Sequence, residues 1–451
     1  MNTGSLPEIN LSWSRIYPKL KHPILLIVVI GLAARFVLAP LLTYNFDFSG
    51  WALVLKNIQA DYGLYDIYGY YYSPPWGYIL AVFSKLTNLL GLSVFGGQSI
   101  DALSVEWYDW YFDATVTTPA FNLLLKTPII LGDLLAGYLI YWLVMDLTDD
   151  RKKATLAFAV WFLCPFVITV GCIGGQFDSL SAVFTLLTVI FIRKNRYVLA
   201  GMMFSLAFLT KLFPAILIFV FVAYIYRRHS EEGNWVKYLL RAVLGFLIAT
   251  VVMLLPNILN GNVGDCFAFL TNRVSDGLGG STSEYTQYLT VVAYLAIAAI
   301  ALLLAKQMIR SKRDLSYDFL FFGLLTLTVL FLYPSAPQYI LLLFPFMILW
   351  FVLCDPSIKR PIVLMIIGTT LFSVASNFTL LLSVANYTDF VSISGLLSLI
   401  DMYQQPVLGL SVMGWQYYAG GVMQWVSTVW LLVILLKRWK SERVTAQKTQ
   451  N

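Results

Sequence analysis

The chain has 451 residues, 59% hydrophobic and 12% charged, with a mean hydropathy of +0.75. Soluble domains carry about 25% charged residues, and apolar runs of near-span length recur from end to end, so a soluble enzyme is excluded. The net charge of +6 is split into short basic clusters between those runs, which reports membrane topology and argues against a nucleic-acid partner.

Residues 1–22 contain Arg15, Lys19 and Lys21 without a small-residue cleavage site. The apolar run over 23–43 therefore reads as a retained first helix. Arg35 lies two thirds of the way along it; either it faces a partner or a wet cavity, or it snorkels to the outer interface. Residues 44–123 form a long aromatic outer loop. Its first stretch, Tyr-Asn-Phe-Asp-Phe-Ser-Gly-Trp over 44–51, sets one carboxylate, Asp47, among rings where a helix meets water. Residues 48–59 have the alternation of an interfacial helix. Tyr72-Ser73-Pro74-Pro75-Trp76 breaks the chain, and residues 77–92, short for a span and holding Lys85, predict a second helix lying on or dipping into the membrane.

Further spans are predicted over 123–145, 154–170, 179–192, 197–209, 215–226, 238–255, 288–304, 317–332, 340–354, 361–383 and 417–436. The fold class is an all-α polytopic membrane protein of one domain, with about twelve transmembrane helices. The second span opens with Lys126-Thr127-Pro128 and carries Asp133. A Gly-rich break, Gly171-Cys172-Ile173-Gly174-Gly175-Gln176-Phe177-Asp178, precedes the fourth, and Lys211-Leu212-Phe213-Pro214 turns into the sixth. Residues 256–287 are a polar loop with Arg273, residues 386–415 another outer segment, and 437–451 a basic tail. With both termini cytoplasmic, 24 of the 30 Lys and Arg fall inside, which fits the positive-inside rule. No internal repeat is evident at the level of motifs.

The exceptions are informative. On this topology the outer side gathers Asp47, Lys126, Asp133, Gln176, Asp178, Lys211, Arg273, Gln338 and Tyr339. Lys126, Lys211 and Arg273 sit against the charge bias; either they act together on a phosphate or pyrophosphate near the headgroups, or each is an isolated interfacial anchor. Asp47 is a candidate general base for an attacking hydroxyl, or the N-cap of the interfacial helix; spacing leaves both open. Asp178 either binds substrate or caps the fourth span. Asp133, inside an apolar helix, pairs with a cation or a backbone amide. The two histidines, His22 and His229, flank basic clusters, and Cys164, Cys172, Cys266 and Cys354 are scattered without a CxxC, so a histidine metal site or a Ser-His-Asp triad is not expected.

The ordered set Asn45-Phe46-Asp47-Phe48, Tyr72-Ser73-Pro74-Pro75-Trp76, Lys126-Thr127-Pro128 with Asp133, Gly175-Gln176-Phe177-Asp178, Ala200-Gly201 with Lys211 and Pro214, and Pro337-Gln338-Tyr339 with Pro345 resembles the GT-C superfamily of integral membrane glycosyltransferases. Within it the set is most similar to the GPI-mannosyltransferase-like and polyprenyl-phosphate-mannose-dependent branches, over roughly residues 25–350. The resemblance implies a polyprenyl- or dolichyl-phosphate sugar donor and a glycan or glycolipid acceptor, with inverting transfer on the non-cytoplasmic face. It also implies no essential metal or cofactor, and a first-loop acid, Asp47, as base. Tyr72 joins the substrate-binding set on the same ground. The paired acid of related branches is absent, since Phe48 follows Asp47. Mannose is the expected sugar, and a prokaryotic cell membrane is favoured over the endoplasmic reticulum. The competing readings are a transporter or flippase of a lipid-linked or anionic solute, and a non-catalytic subunit. A transporter should carry polar residues on several central helices and a repeat, whereas here they gather on one face and the last spans read as nearly free of buried charge.

Overall fold

A computed structural model describes residues 23–66, 70, 72–97, 116–268, 284–333, 335–375 and 378–448. Among them the chain is almost wholly helical, and the only sheet is a two-residue hairpin of β1 (Pro406–Val407) and β2 (Leu410–Ser411). It is a multi-pass membrane protein. Among the described residues six helices are long and apolar enough to cross a bilayer, or seven if one bent pair counts as a span. Every predicted span has a helix in its place, but several are short pieces held inside the bundle.

α1 is Pro23–Leu41. The aromatic stretch after it coils at once into α2, Asn45–Gln59, and α3 (Pro74–Leu89) follows the Pro-Pro break. α2 and α3 pack on each other over a core of their own: Phe48, Trp51, Leu55, Tyr72, Trp76 and Leu80 close around Phe177. At 16 residues, with Trp76, Leu80, Ser84 and Thr87 buried on one face, α3 is shorter than a span requires.

α4 (Pro119–Thr148) is the first long helix of the bundle. The third predicted span is broken: α5 (Arg151–Phe162) stops before Cys164-Pro165, and α6 (Pro165–Ile173) leaves at 42°. Proline has no N–H for the ladder and clashes with the preceding turn, which accounts for the bend. The last six residues of α6, Ile168–Ile173, wind as a π-helix, a form concentrated at functional sites.

α7 (Asp178–Arg193) and α8 (Tyr197–Thr210) form a tight hairpin, and a 3₁₀ turn at Phe213–Leu217 leads to α9 (Ile218–His229). α10 (Trp235–Asn260) runs through Pro256, so the loop expected from 256 begins only after Asn260. α8 and α10 meet backbone to backbone: a Cβ on Gly201 would lie 1.8 Å from the Ala242 carbonyl oxygen, and one on Gly245 would lie 1.9 Å from that of Val198.

α11 (Glu284–Arg310) and α12 (Leu315–Leu330) follow; α12 is buried on every side from Asp318 to Leu330. A 3₁₀ turn at Pro337–Leu342 enters α13 (Phe344–Leu353), and α14 is Lys359–Ala375. α15 (Leu382–Tyr387) and α16 (Ile393–Gln404) precede the hairpin and α17 (Val412–Lys448), which packs along α14.

The helix alternation separates two ends. One carries an ionic girdle. Asp318 is fully buried against Arg227 and Arg313, at 2.6 Å from the latter. Arg313 reaches Glu442, Arg438 bridges Glu442 and Asp355, and Arg193 and Lys194 hold Asp146. Asp318 corrects the expectation that the later spans are nearly free of buried charge; it is fixed by two guanidiniums, Arg227 from α9 and Arg313 from the turn between α11 and α12. The other end carries Asp47, Gln176, Asp178, Lys211 and residues 335–339.

Candidate active site

Asp47 lies in the first turn of α2, three residues after the N-cap Tyr44, and no side chain caps that helix. The cap reading of Asp47 therefore fails: the helix starts two residues before it. Its carboxylate instead accepts a hydrogen bond from the Gln176 side-chain amide. A carboxylate at a helix N-terminus is also favoured by the helix dipole. Gly175 makes this contact possible. Its φ is +67°, and a Cβ there would stand 2.5 Å from Phe48 Cδ2, so only glycine lets the break lie flat against α2.

Two residues beyond Gln176, Asp178 opens α7 and pairs with Lys211 Nζ at 3.3 Å, both side chains at least 95% buried. The cap reading of Asp178 gives way to this ion pair with the end of α8. Lys211 lies 4.4 Å from the Phe177 ring centroid, 4.8 Å from that of Tyr72 and 5.4 Å from that of Tyr339. Such faces attract an ammonium through the ring quadrupole. Tyr72 itself touches Trp51 and Phe177, with centroids 5.5 and 5.3 Å away. Burial raises the phenols of Tyr65 and Tyr70 above their ordinary range. They stay neutral donors, Tyr65 to the Tyr72 carbonyl and Tyr70 to that of Ser73, and so fix the backbone around Tyr72.

Beside this cluster opens a cavity of about 710 Å³. Tyr44, Thr169, Val170, Gly174 and Gln176 form its near wall; Gln338 and Tyr339 line it from the turn before α13, where the Tyr339 ring lies 4.4 Å from that of Phe213, tilted by 46°. The far wall comes from α11, α14 and α17. Nothing local in the sequence marks those far residues, because they reach the cavity only through the packing of helices remote along the chain.

Two expected site residues are engaged elsewhere. Lys126 is fully buried, and its ammonium donates to Ala39 O (2.9 Å), Leu42 O (2.7 Å) and Thr43 Oγ1 (3.1 Å). It satisfies carbonyls left open at the end of α1, a favoured place for a cation, and has no hydrogen left for a phosphate. Asp133 is likewise buried, held 3.1 Å from both Nε and Nη2 of Arg35, while Arg35 Nη1 donates to Phe162 O at 2.8 Å. This decides the two readings of Arg35 for the partner. The pair joins α1 to α4, and neither residue lines the cavity. Arg273 falls outside the described residues. Among those residues no group of His, Cys, Asp and Glu is arranged to hold a metal ion.

Residues 121–334 match the model of Glycosyltransferase family 87, a stretch that includes Gln176, Asp178 and Lys211. Part of the chain is 28% identical over 130 residues to GPI mannosyltransferase 1 of Saccharomyces cerevisiae. These matches support a GT-C membrane glycosyltransferase. A second GPI mannosyltransferase 1, from Eremothecium gossypii, is 32% identical over 123 residues. The alignments cover 29% and 27% of this chain and 31% and 30% of the two relatives, so the chain spans under a third of each protein's length in the match. Asp47, Gln338 and Tyr339 lie outside the matched family stretch.

Proposed function

We propose that this GT-C-type chain transfers a hexose, in the first instance mannose, from a polyprenyl- or dolichyl-phosphate sugar to a glycan or glycolipid acceptor. The observation that carries the reading is the Asp47 carboxylate held by Gln176, a residue that lines the cavity, with Asp47 and Lys211 themselves set behind its lining residues. Asp47 accepts the proton of the acceptor hydroxyl. The freed oxygen attacks the anomeric carbon from the face opposite the phosphate, and the sugar–phosphate bond breaks with its electron pair on the phosphate, inverting the centre. Gln176 orients the base. Lys211, steadied by Asp178 and three rings, meets the charge of the leaving phosphate, with Arg273 as a second cation drawn from the sequence. Gln338 and Tyr339 line the cavity beside the reacting groups, and Tyr72 packs against Lys211.

The site end is taken as non-cytoplasmic, because the girdle end carries most of the basic residues. Both matched relatives are fungal, so they lend no support to the prokaryotic membrane favoured by the sequence. Transfer by the purified full chain from polyprenyl-phosphate mannose is the direct test, with Asp47→Asn as its control. Asparagine can still accept from Gln176 while the base is gone, so kcat should drop about 10²- to 10⁴-fold with KM little changed. Transfer at the normal rate by Asp47→Asn removes the base assignment, and no transfer by the wild type from any lipid-phosphate sugar removes the reading.

A further inference from the structure

The far wall of the cavity has a polar feature that base and cation do not explain. Gln424, on α17, is 6% exposed, and its amide Nε2 donates to the Ser335 carbonyl at 3.3 Å. Its other end, Oε1, is buried with no hydrogen-bond partner among the described residues, and so is the Ser335 hydroxyl. Both residues line the cavity, and so do Tyr417, Tyr418 and Trp425 on the same helix, each partly exposed. A buried amide oxygen left unpaired is destabilising, and an unbranched apolar side chain would fill the same place on α17 at no such cost. The bond from Nε2 to Ser335 accounts for one end of the amide, and a wall meant only for a hydrocarbon tail gives the other end, Oε1, no partner.

Resting on the transferase reading, we propose that Gln424 and Ser335 form a subsite for a saccharide hydroxyl and so help select the sugar that enters the cavity. One hydroxyl can donate to Gln424 Oε1 and accept from Ser335 Oγ, while the aromatic faces beside them suit the apolar C–H face of a pyranose. A few placed polar groups in a largely apolar cavity are what fixes a ligand's orientation. Both residues fall outside the stretch matched to the family. The hydroxyl belongs either to the hexose being transferred or to the terminal sugar of the acceptor; the chemistry read is the same.

The test uses the full chain in lipid nanodiscs, with equilibrium dialysis against labelled methyl α-mannoside, and separately with KM measured for donor and for acceptor. Gln424→Met keeps the volume and removes the amide; Ser335→Ala removes a single oxygen and is the safer variant for folding. Expected are saturable binding to the wild type, roughly 10-fold weaker in Gln424→Met and several-fold weaker in Ser335→Ala, and a matching rise in one KM with kcat held. A rise confined to the donor KM assigns the transferred sugar, and one confined to the acceptor KM assigns the acceptor. Absence of wild-type binding, or variants whose binding and both KM values stay at wild-type levels, overturns the proposal. If the wild type transfers nothing, the transferase reading falls while the dialysis still judges the subsite.

Discussion

Replacing Gly175 by alanine should damage both stability and turnover, by amounts that can be separated. Two penalties apply. The first is conformational: at φ +67° an L-residue costs about 1–2 kcal/mol. The second is steric: the new Cβ would stand 2.5 Å from Phe48 Cδ2, where ordinary contact begins at 3.4 Å. Phe48 is fully buried and cannot swing into solvent, so overpacking adds about 1–3 kcal/mol, for a total of about 2–5 kcal/mol. Phe48 follows Asp47 in the same turn, so the displacement is passed to the carboxylate, and a shift near 1 Å can lower turnover about 100-fold. Gly261→Ala is the internal control. Gly261 has φ +73° with nothing within 4 Å of an added Cβ, so it should show the conformational penalty alone, with kcat intact. Thermal unfolding in nanodiscs and the transfer assay read the two effects, and Phe48→Leu in the Gly175→Ala background should recover part of both. Equal stability loss in Gly175→Ala and Gly261→Ala, with kcat unchanged in each, would refute the reasoning.

Other outcomes follow from the ion pairs. Arg35→Met leaves Asp133 as a buried, unpaired acid and should cost about 3–5 kcal/mol, whereas Arg35→Met with Asp133→Leu should restore most of it; a double variant no more stable than the single one speaks against a dry pair. Lys211→Met should raise the donor KM roughly 10-fold or more, as expected for a lost charge-assisted contact, and Lys211→Arg should recover part of it; an unchanged donor KM in kinetics at fixed salt counts against the phosphate role. Asp355 sits in the girdle outside the spans. Burial opposes its ionisation, but hydrogen bonds from Ser357 and Arg438 prevail and hold its carboxyl below the usual range. The stability it contributes is therefore complete above about 3.9, its unfolded value, and fades as pH falls through the lower folded value. Asp355→Asn should lack that contribution at neutral pH and converge on the wild type in acid; parallel unfolding curves across this range would deny it.

Much of the architecture was legible because a bilayer forces it. A chain that must satisfy every backbone group internally while facing lipid writes its spans as apolar runs; a helix stands at each predicted run, but among the described residues six, or seven with the bent pair, are long and apolar enough to cross, against the twelve expected. The break at Gly174-Gly175-Gln176 and a helix over 48–59 were also readable, since glycine and helical periodicity act locally, although that helix starts at Asn45 and takes in Asp47. The bend at Pro165 sat in plain view inside an apolar run, where hydropathy alone does not distinguish a break from a span. The partners of the charged side chains were not readable. Lys126 and Lys211 look alike as outer cations at helix ends, yet one closes the end of α1 and the other lies among rings beside Asp178. Asp47 and Asp178 both looked like caps, and neither is one. Gln424 carried no signal at all. Each of these assignments depends on which distant helix packs alongside, and a single sequence records the apolar faces that drive packing without recording the partner each face meets.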